Sequence, residues 1–178
     1  MPRSARCRRI AAARSASMRG FTFIELLVVL AIISILVAIA LPAYRDYELR
    51  AEAAESLIFL GEAKSSVNEF YSRWGRMPAN NSEAGLRAPD ALRGKYLRRL
   101  SVSDGVMVAM LQLGSDEEGE GLERTLTFRP WLSAKNPGAA ILWSCGEQEP
   151  KANDYHVVGE VAPNPVEGKW LPSVCRKQ

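Results

Sequence analysis

Histidine is nearly missing from this chain: His156 is the only one in 178 residues. That excludes a zinc centre built on several imidazoles, and the cysteines are too few and too scattered to replace them. No Gly-x-Ser-x-Gly elbow, phosphate-binding glycine loop or dinucleotide fingerprint occurs. With no catalytic constellation, the chain reads as a non-enzyme without cofactor or metal. Acidic residues are absent from the first 20 positions, which carry Arg3, Arg6, Arg8, Arg9, Arg14 and Arg19. Charge of either sign is absent from the 19 residues Leu26 to Tyr44.

These absences divide the chain. The formal charge of +3 belongs to the basic leader. Six of the 23 Lys and Arg lie there, and the 17 that remain face 20 acids, a net of −3. The sequence pI of 8.9 is therefore no argument for nucleic-acid binding. The cysteines sort the same way. Cys7 falls in the leader, which leaves Cys145 and Cys175 as an even pair near the C-terminus. Outside the cytoplasm such a pair is read as a disulfide; in the cytosol it would be two buried thiols.

A bilayer core asks for about 20 apolar residues in helical form, close to the length of the uncharged run. Arginines precede it, which places the N-terminus in the cytoplasm and the C-terminal domain outside. A conventional secretory signal is cut after its apolar region, at small residues. No such site ends this run, and the expected cut lies before it, at Gly20–Phe21. Glu25 stands at the start of the run. A carboxylate there is costly unless paired. The simple reading is an interfacial acid favoured by the helix dipole. The sharper one uses the amine that cleavage would free on Phe21, which a neighbouring subunit's Glu25 could meet.

Arg19-Gly20-Phe21-Thr22-Phe23-Ile24-Glu25-Leu26-Leu27, with the apolar run to Pro42-Ala43-Tyr44, resembles the type IV prepilin signature. The resemblance implies a Gly20 cut before an N-methylated Phe21, both by a prepilin peptidase. It assigns Glu25 and Pro42 to assembly. The 20-residue leader is long for the type IVa class, and Met18 is a second candidate start. Ser34 stands where these helices often carry glycine. Type IVa pilins also have a disulfide-bounded C-terminal region, similar to the span from Trp143-Ser144-Cys145 to Leu171-Pro172-Ser173-Val174-Cys175.

Beyond Pro42, which should kink or open the helix, Leu49, Ala53, Leu57, Leu60, Ala63, Val67, Phe70 and Trp74 recur at three- and four-residue spacing. Arg50, Glu52, Glu55, Glu62 and Glu69 fill the intervals, so the segment is an amphipathic helix stopped at Gly75. Residues 75–95 read as a loop. Its Asn80-Asn81-Ser82 fits a glycosylation sequon, but an unmodified loop is the expectation in a bacterial protein. Strands are expected at Tyr96–Val102, Val106–Leu113, Arg124–Trp131 and Ala140–Ser144, with a tight hairpin at Asp104-Gly105. The acidic stretch 114–121 lacks the alternating ligands of a calcium loop and reads as a solvated turn. Arg93, Lys95, Arg98 and Arg99 form a small basic cluster. A DNA contact is conceivable there; a solvated face is the simpler reading.

The expected fold is α+β. A long N-terminal helix, half transmembrane and half amphipathic, packs on an antiparallel sheet of about four strands with a disulfide-bounded C-terminal loop. The expected segments are a cleaved leader (1–20), an apolar filament-core helix (21–44), an amphipathic helix (45–74), a connecting loop (75–95), the sheet (96–144) and the C-terminal region (145–175). The resemblance implies a precursor in the lipid bilayer of the inner membrane, then an extracellular homopolymer built by an assembly machinery and supporting adhesion, twitching motility and DNA uptake. A minor pilin or a type II secretion pseudopilin shares the N-terminal signature. A membrane-anchored binding domain that never polymerises would keep its leader.

Overall fold

A computed structural model of the chain describes residues 20–114, 121–136, 138–149 and 154–176. The leader before Gly20, with Cys7 and Met18, and residues 115–120 of the acidic stretch lie outside the described residues. The chain divides into two compact units, residues 1–40 and 41–178. Helix α1 is assigned from Phe23 to Trp74.

In the first unit no glycine or proline interrupts residues 21–40. A helix pairs its backbone groups internally, as a chain crossing lipid must. Every residue from Gly20 to Ala40 is exposed, so the unit buries none of its apolar side chains in itself.

The second unit begins beside Pro42, whose ring nitrogen has no proton for the helix ladder. Helical assignment nonetheless continues through it. Farther on, Ala53, Leu60, Ala63 and Val67 are fully buried, with Leu49 and Leu57 packed beside them. The stripe predicted from spacing is thus present, with two departures. Trp74, the last residue of the helix, remains 65% exposed. Glu52, expected among the solvent-side residues, is buried. Its Oε2 accepts the backbone N–H of Gly114 at 2.6 Å, which compensates the buried carboxylate. Gly75 ends the helix at φ 67°, donating its N–H to Tyr71 O, as a left-handed cap residue does.

Strands β1 (Leu97–Ser103), β2 (Val106–Leu113), β3 (Leu122–Ser133), β4 (Leu142–Cys145) and β5 (Tyr155–Val157) make one antiparallel sheet. The order is β1-β2-β3-β4, and β5 pairs with the end of β3. The four expected strands are found, β2 with the expected ends and the other three with shifted ends; β5 was not anticipated. Asp104 and Gly105, both at positive φ, form the two-residue hairpin that joins Ser103 to Val106. A bulge between Leu97 and Arg99 breaks the alternation of β1, so Arg98 and Arg99 both face water. Met107, Ala109, Leu111, Leu113 and Leu126 join the helix residues in one core. Thr125, Thr127 and Arg129 alternate with Leu126 and Phe128, so they occupy the opposite face of β3. The C-terminal chain closes over them: Thr125 Oγ1 donates to Pro163 O at 2.7 Å, and Ala162 N donates to Thr127 Oγ1 at 3.1 Å.

Candidate processing and assembly site

The N-terminal junction is built by a helix cap. Thr22 O accepts the first helical hydrogen bond, from Leu26 N at 3.2 Å. Thr22 Oγ1 accepts the Glu25 N–H, also at 3.2 Å. Thr22 is therefore the N-cap and Glu25 the third helical residue, the arrangement of a capping-box sequence. Sequence reasoning passed over Thr22, although Thr-x-x-Glu ahead of an apolar run is a recognised start signal. Gly20 and Phe21 precede the helix in non-helical conformation. A side chain at Gly20 would meet nothing within 4 Å, and Phe21 is 75% exposed. Glu25 lies in the first turn, where the helix dipole favours an anion. Among the described residues it forms no ion pair. Ser34 Oγ donates back to Leu30 O at 2.7 Å, a local bond that satisfies the hydroxyl on an otherwise apolar helix.

In the second unit, the part expected to close the domain is tied at several points. Cys145 and Cys175 form a disulfide with Cα atoms 4.9 Å apart, and both are buried. Gln148 reinforces this closure. Its Oε1 accepts Cys145 N, and its Nε2 donates to Val174 O and Arg176 O. Trp170, buried, donates Nε1–H to Asp46 Oδ1 at 2.8 Å. One helical turn later Arg50 Nη2 donates to Lys169 O at 2.7 Å. The two α1 residues thus hold consecutive residues of the disulfide-bounded segment. Neither Asp46 nor Arg50 stood out in the sequence, because their partners lie more than a hundred positions away.

The 75–95 loop is held with equal economy. Buried Asn81 donates Nδ2 to Arg87 O and Leu100 O and accepts Val102 N, which pins the loop to the edge of β1. This satisfies its amide, whereas exposed Asn80 uses Oδ1 to accept Glu83 N. Arg76 and Glu83 pair at 2.7 Å. The Arg76 hydrogen bond, aided by the Ala79 N–H, holds the Glu83 carboxyl below the usual carboxylate range. The basic cluster is partly spoken for. Arg93 Nε bonds Asp90 O, Arg99 pairs with Asp90 at 3.7 Å, and Arg98 bonds Gln112. A hydrogen bond with Tyr96 raises the ionisation range of Lys95. His156 lies on β5, and no group of three or more metal-ligating side chains occurs among the described residues.

Residues 49–176 match the family model of Pilin (bacterial filament), and residues 16–41 match the prokaryotic N-terminal methylation motif. A type IV major pilin protein PilE1 of Neisseria gonorrhoeae is 38% identical, over 89% of this chain and 93% of its own. A fimbrial protein of Neisseria meningitidis serogroup B is 36% identical, over 89% and 94%. The fimbrial protein EcpC of Eikenella corrodens is also 36% identical, over 89% and 90%. The long apolar helix, the antiparallel sheet and the Cys145–Cys175 disulfide fit the same conclusion: the chain belongs to the type IV pilin family, as a non-enzymatic structural subunit made as a membrane-anchored precursor.

Proposed function

We propose that a prepilin peptidase cuts between Gly20 and Phe21, methylates the new Phe21 amine, and so releases a subunit whose residues 21–44 form the filament core. The observation that carries this reading is the capped helix start. Thr22 caps the helix, Glu25 sits in its first turn, and the Gly20–Phe21 bond lies just outside it. In the filament one subunit's Glu25 faces a neighbour's Phe21 amine. Two unit charges about 4 Å apart attract by about 4 kcal/mol at an effective dielectric near 20. Desolvation offsets part of that, so the pair acts chiefly on axial register. Pro42 acts in assembly as the point where the helix ladder lacks a bond. Residues 45–74 and 96–144 form the domain core, 75–95 the connecting loop and 145–175 the closing segment.

The filament so built serves adhesion, twitching motility and DNA uptake. The precursor resides in the inner membrane, and a dedicated membrane machinery extracts it. The gonococcal relatives are major pilins, which supports reading this chain as the principal subunit. The N-terminal mass of the mature chain tests the proposal. A methylated Phe21 is expected, and an intact leader on filament-borne protein would refute it. Glu25→Ala is expected to be processed yet to build filaments at no more than one-tenth of wild-type yield, read from sheared fractions. Wild-type yield from Glu25→Ala alone would end the electrostatic account.

A further inference from the structure

Between the last turns of α1 and the start of the 75–95 loop lies a concave site of about 470 Å³. Trp74 lines it and is 65% exposed. Phe70, one helical turn earlier, lines it too; the ring centroids are 6.3 Å apart and the planes tilted by 37°. The face of Phe70 is already taken, because the Arg76 guanidinium carbon stands 4.9 Å from its centroid. No cation stands over Trp74 among the described residues, which leaves the indole as the open aromatic surface of the site. Four charged side chains complete the wall, and they cancel in pairs. Arg73 Nη2 meets Glu69 Oε1 at 2.9 Å, and Arg76 Nη1 meets Glu83 Oε2 at 2.7 Å. The Arg73 and Glu69 side chains are both exposed, so the N–H groups and lone pairs their ion pair leaves over face water. On the loop side, a Cβ at Gly85 would meet nothing within 4 Å, so that wall is open.

We propose that this site binds a neutral pyranose residue of a glycan, stacked on Trp74. An aromatic face carries partial negative charge. The C–H face of a pyranose offers partly positive hydrogens and flat apolar area to match it. Hydroxyls at the sugar's edge donate to a carboxylate and accept from a guanidinium, and Glu69 and Arg73 present both groups within one helical turn of the indole. The volume falls among those of small-ligand sites, about 300–1,000 Å³. The pairing of charges argues against other ligands. A phosphate-bearing strand would meet Glu69 and Glu83 as well as the arginines. A quaternary ammonium is held by a cage of several open rings, and here Phe70 is covered. An apolar peptide would strip water from two ion pairs and return nothing for it; a polyol replaces that water with hydroxyls. A single subunit suffices for such binding, which therefore does not depend on the cleavage and assembly proposed above.

The test uses the full chain, labelled with nitrogen-15, in micelles of a detergent without a sugar headgroup. Methyl glucoside, methyl galactoside and methyl mannoside are titrated in turn while the indole N–H signals of the four tryptophans are followed. A saturable shift of the Trp74 indole and the Gly85 amide is expected with at least one sugar, and none at Trp131, Trp143 or Trp170. Affinity should fall about tenfold in Trp74→Leu and stay within about threefold of wild type in Trp74→Tyr, which keeps a flat face. A Trp74 signal that ignores all three sugars overturns the proposal, as does equal affinity in a folded Trp74→Leu. A Trp74→Leu chain that binds sugar as wild type does but no longer assembles gives the ring to a subunit contact instead. Should Trp74→Leu fail to fold, the wild-type titration decides: movement at Trp74 and Gly85 upholds the site, and movement confined to other residues rejects it.

Discussion

The two units of this chain are apolar for opposite purposes. In the first, Ile, Leu and Val side chains lie in the open, and no residue from Gly20 to Ala40 is buried. In the second, the same residue types are withdrawn from water: Leu60, Leu97, Leu100, Leu111 and Leu126 are all at most 1% exposed. The second unit answers its own hydrophobic demand. The first must be answered from outside, by lipid in the membrane-anchored precursor and, on the proposed function, by other subunits in the filament. Exposed apolar surface on this scale marks an interaction surface rather than a folding fault.

The disulfide offers the largest test of that self-sufficiency. Cys145→Ser should cost the second unit about 3–4 kcal/mol, the chain-entropy value for a loop of some thirty residues, as read by denaturant melting. Truncation of equivalent side chains sharpens the contrast directly. Leu60→Ala should destabilise the domain by about 2–5 kcal/mol. Ile39→Ala, at a position 71% exposed, should move domain stability by no more than about 0.5 kcal/mol. Its effect should appear only when filaments are assayed for resistance to detergent or heat. Equal domain destabilisation by both substitutions would erase the distinction between the units.

Asn81→Ala gives a smaller effect, about 1–3 kcal/mol, because two carbonyls and one N–H at the β1 edge lose their partner. Exchange of the Val102 amide should speed up in the same variant. Glu83 gives the smallest effect, and one that depends on pH. Its folded ionisation range is depressed, first by Arg76 and then by the Ala79 N–H. Its contribution is therefore present above the unfolded carboxylate value, about 4.3, and is lost as pH falls through the folded value. Wild type should exceed Glu83→Gln in stability at neutral pH, and the difference should close below about pH 4. A gap that persists unchanged at pH 2.5 would contradict the ion pair.

Much of the second unit was legible because its signals are local. Spacing of three and four residues located the buried stripe of α1, Asp104-Gly105 located the hairpin, and alternation located β2 from Val106 to Leu113 without error. β5 escaped notice because three residues, Tyr155–Val157, hold no periodic pattern and gain strand character only by pairing with β3. Glu52 was misjudged because a charged residue on an amphipathic helix ordinarily faces water; only the folded chain brings Gly114 N to it. The Asp46–Trp170 and Arg50–Lys169 contacts, and the threefold bonding of Asn81, are likewise invisible to spacing. The N-terminal motif is just as local, a run of neighbouring residues that matches the prokaryotic N-terminal methylation motif over residues 16–41.

The order of residues by itself determined where the chain is charged, where it is oily, and how its helix begins and ends. These follow from side-chain transfer energies and backbone preferences that act within a few positions. Tertiary structure alone decided which polar groups find partners and which do not. A hydrogen bond depends on the meeting of two atoms that may be remote in the chain, and burial makes that meeting matter. Asp46 and Trp170 belong to this second kind: as letters they are an ordinary aspartate and tryptophan, and only the fold brings the indole N–H to within 2.8 Å of the carboxylate.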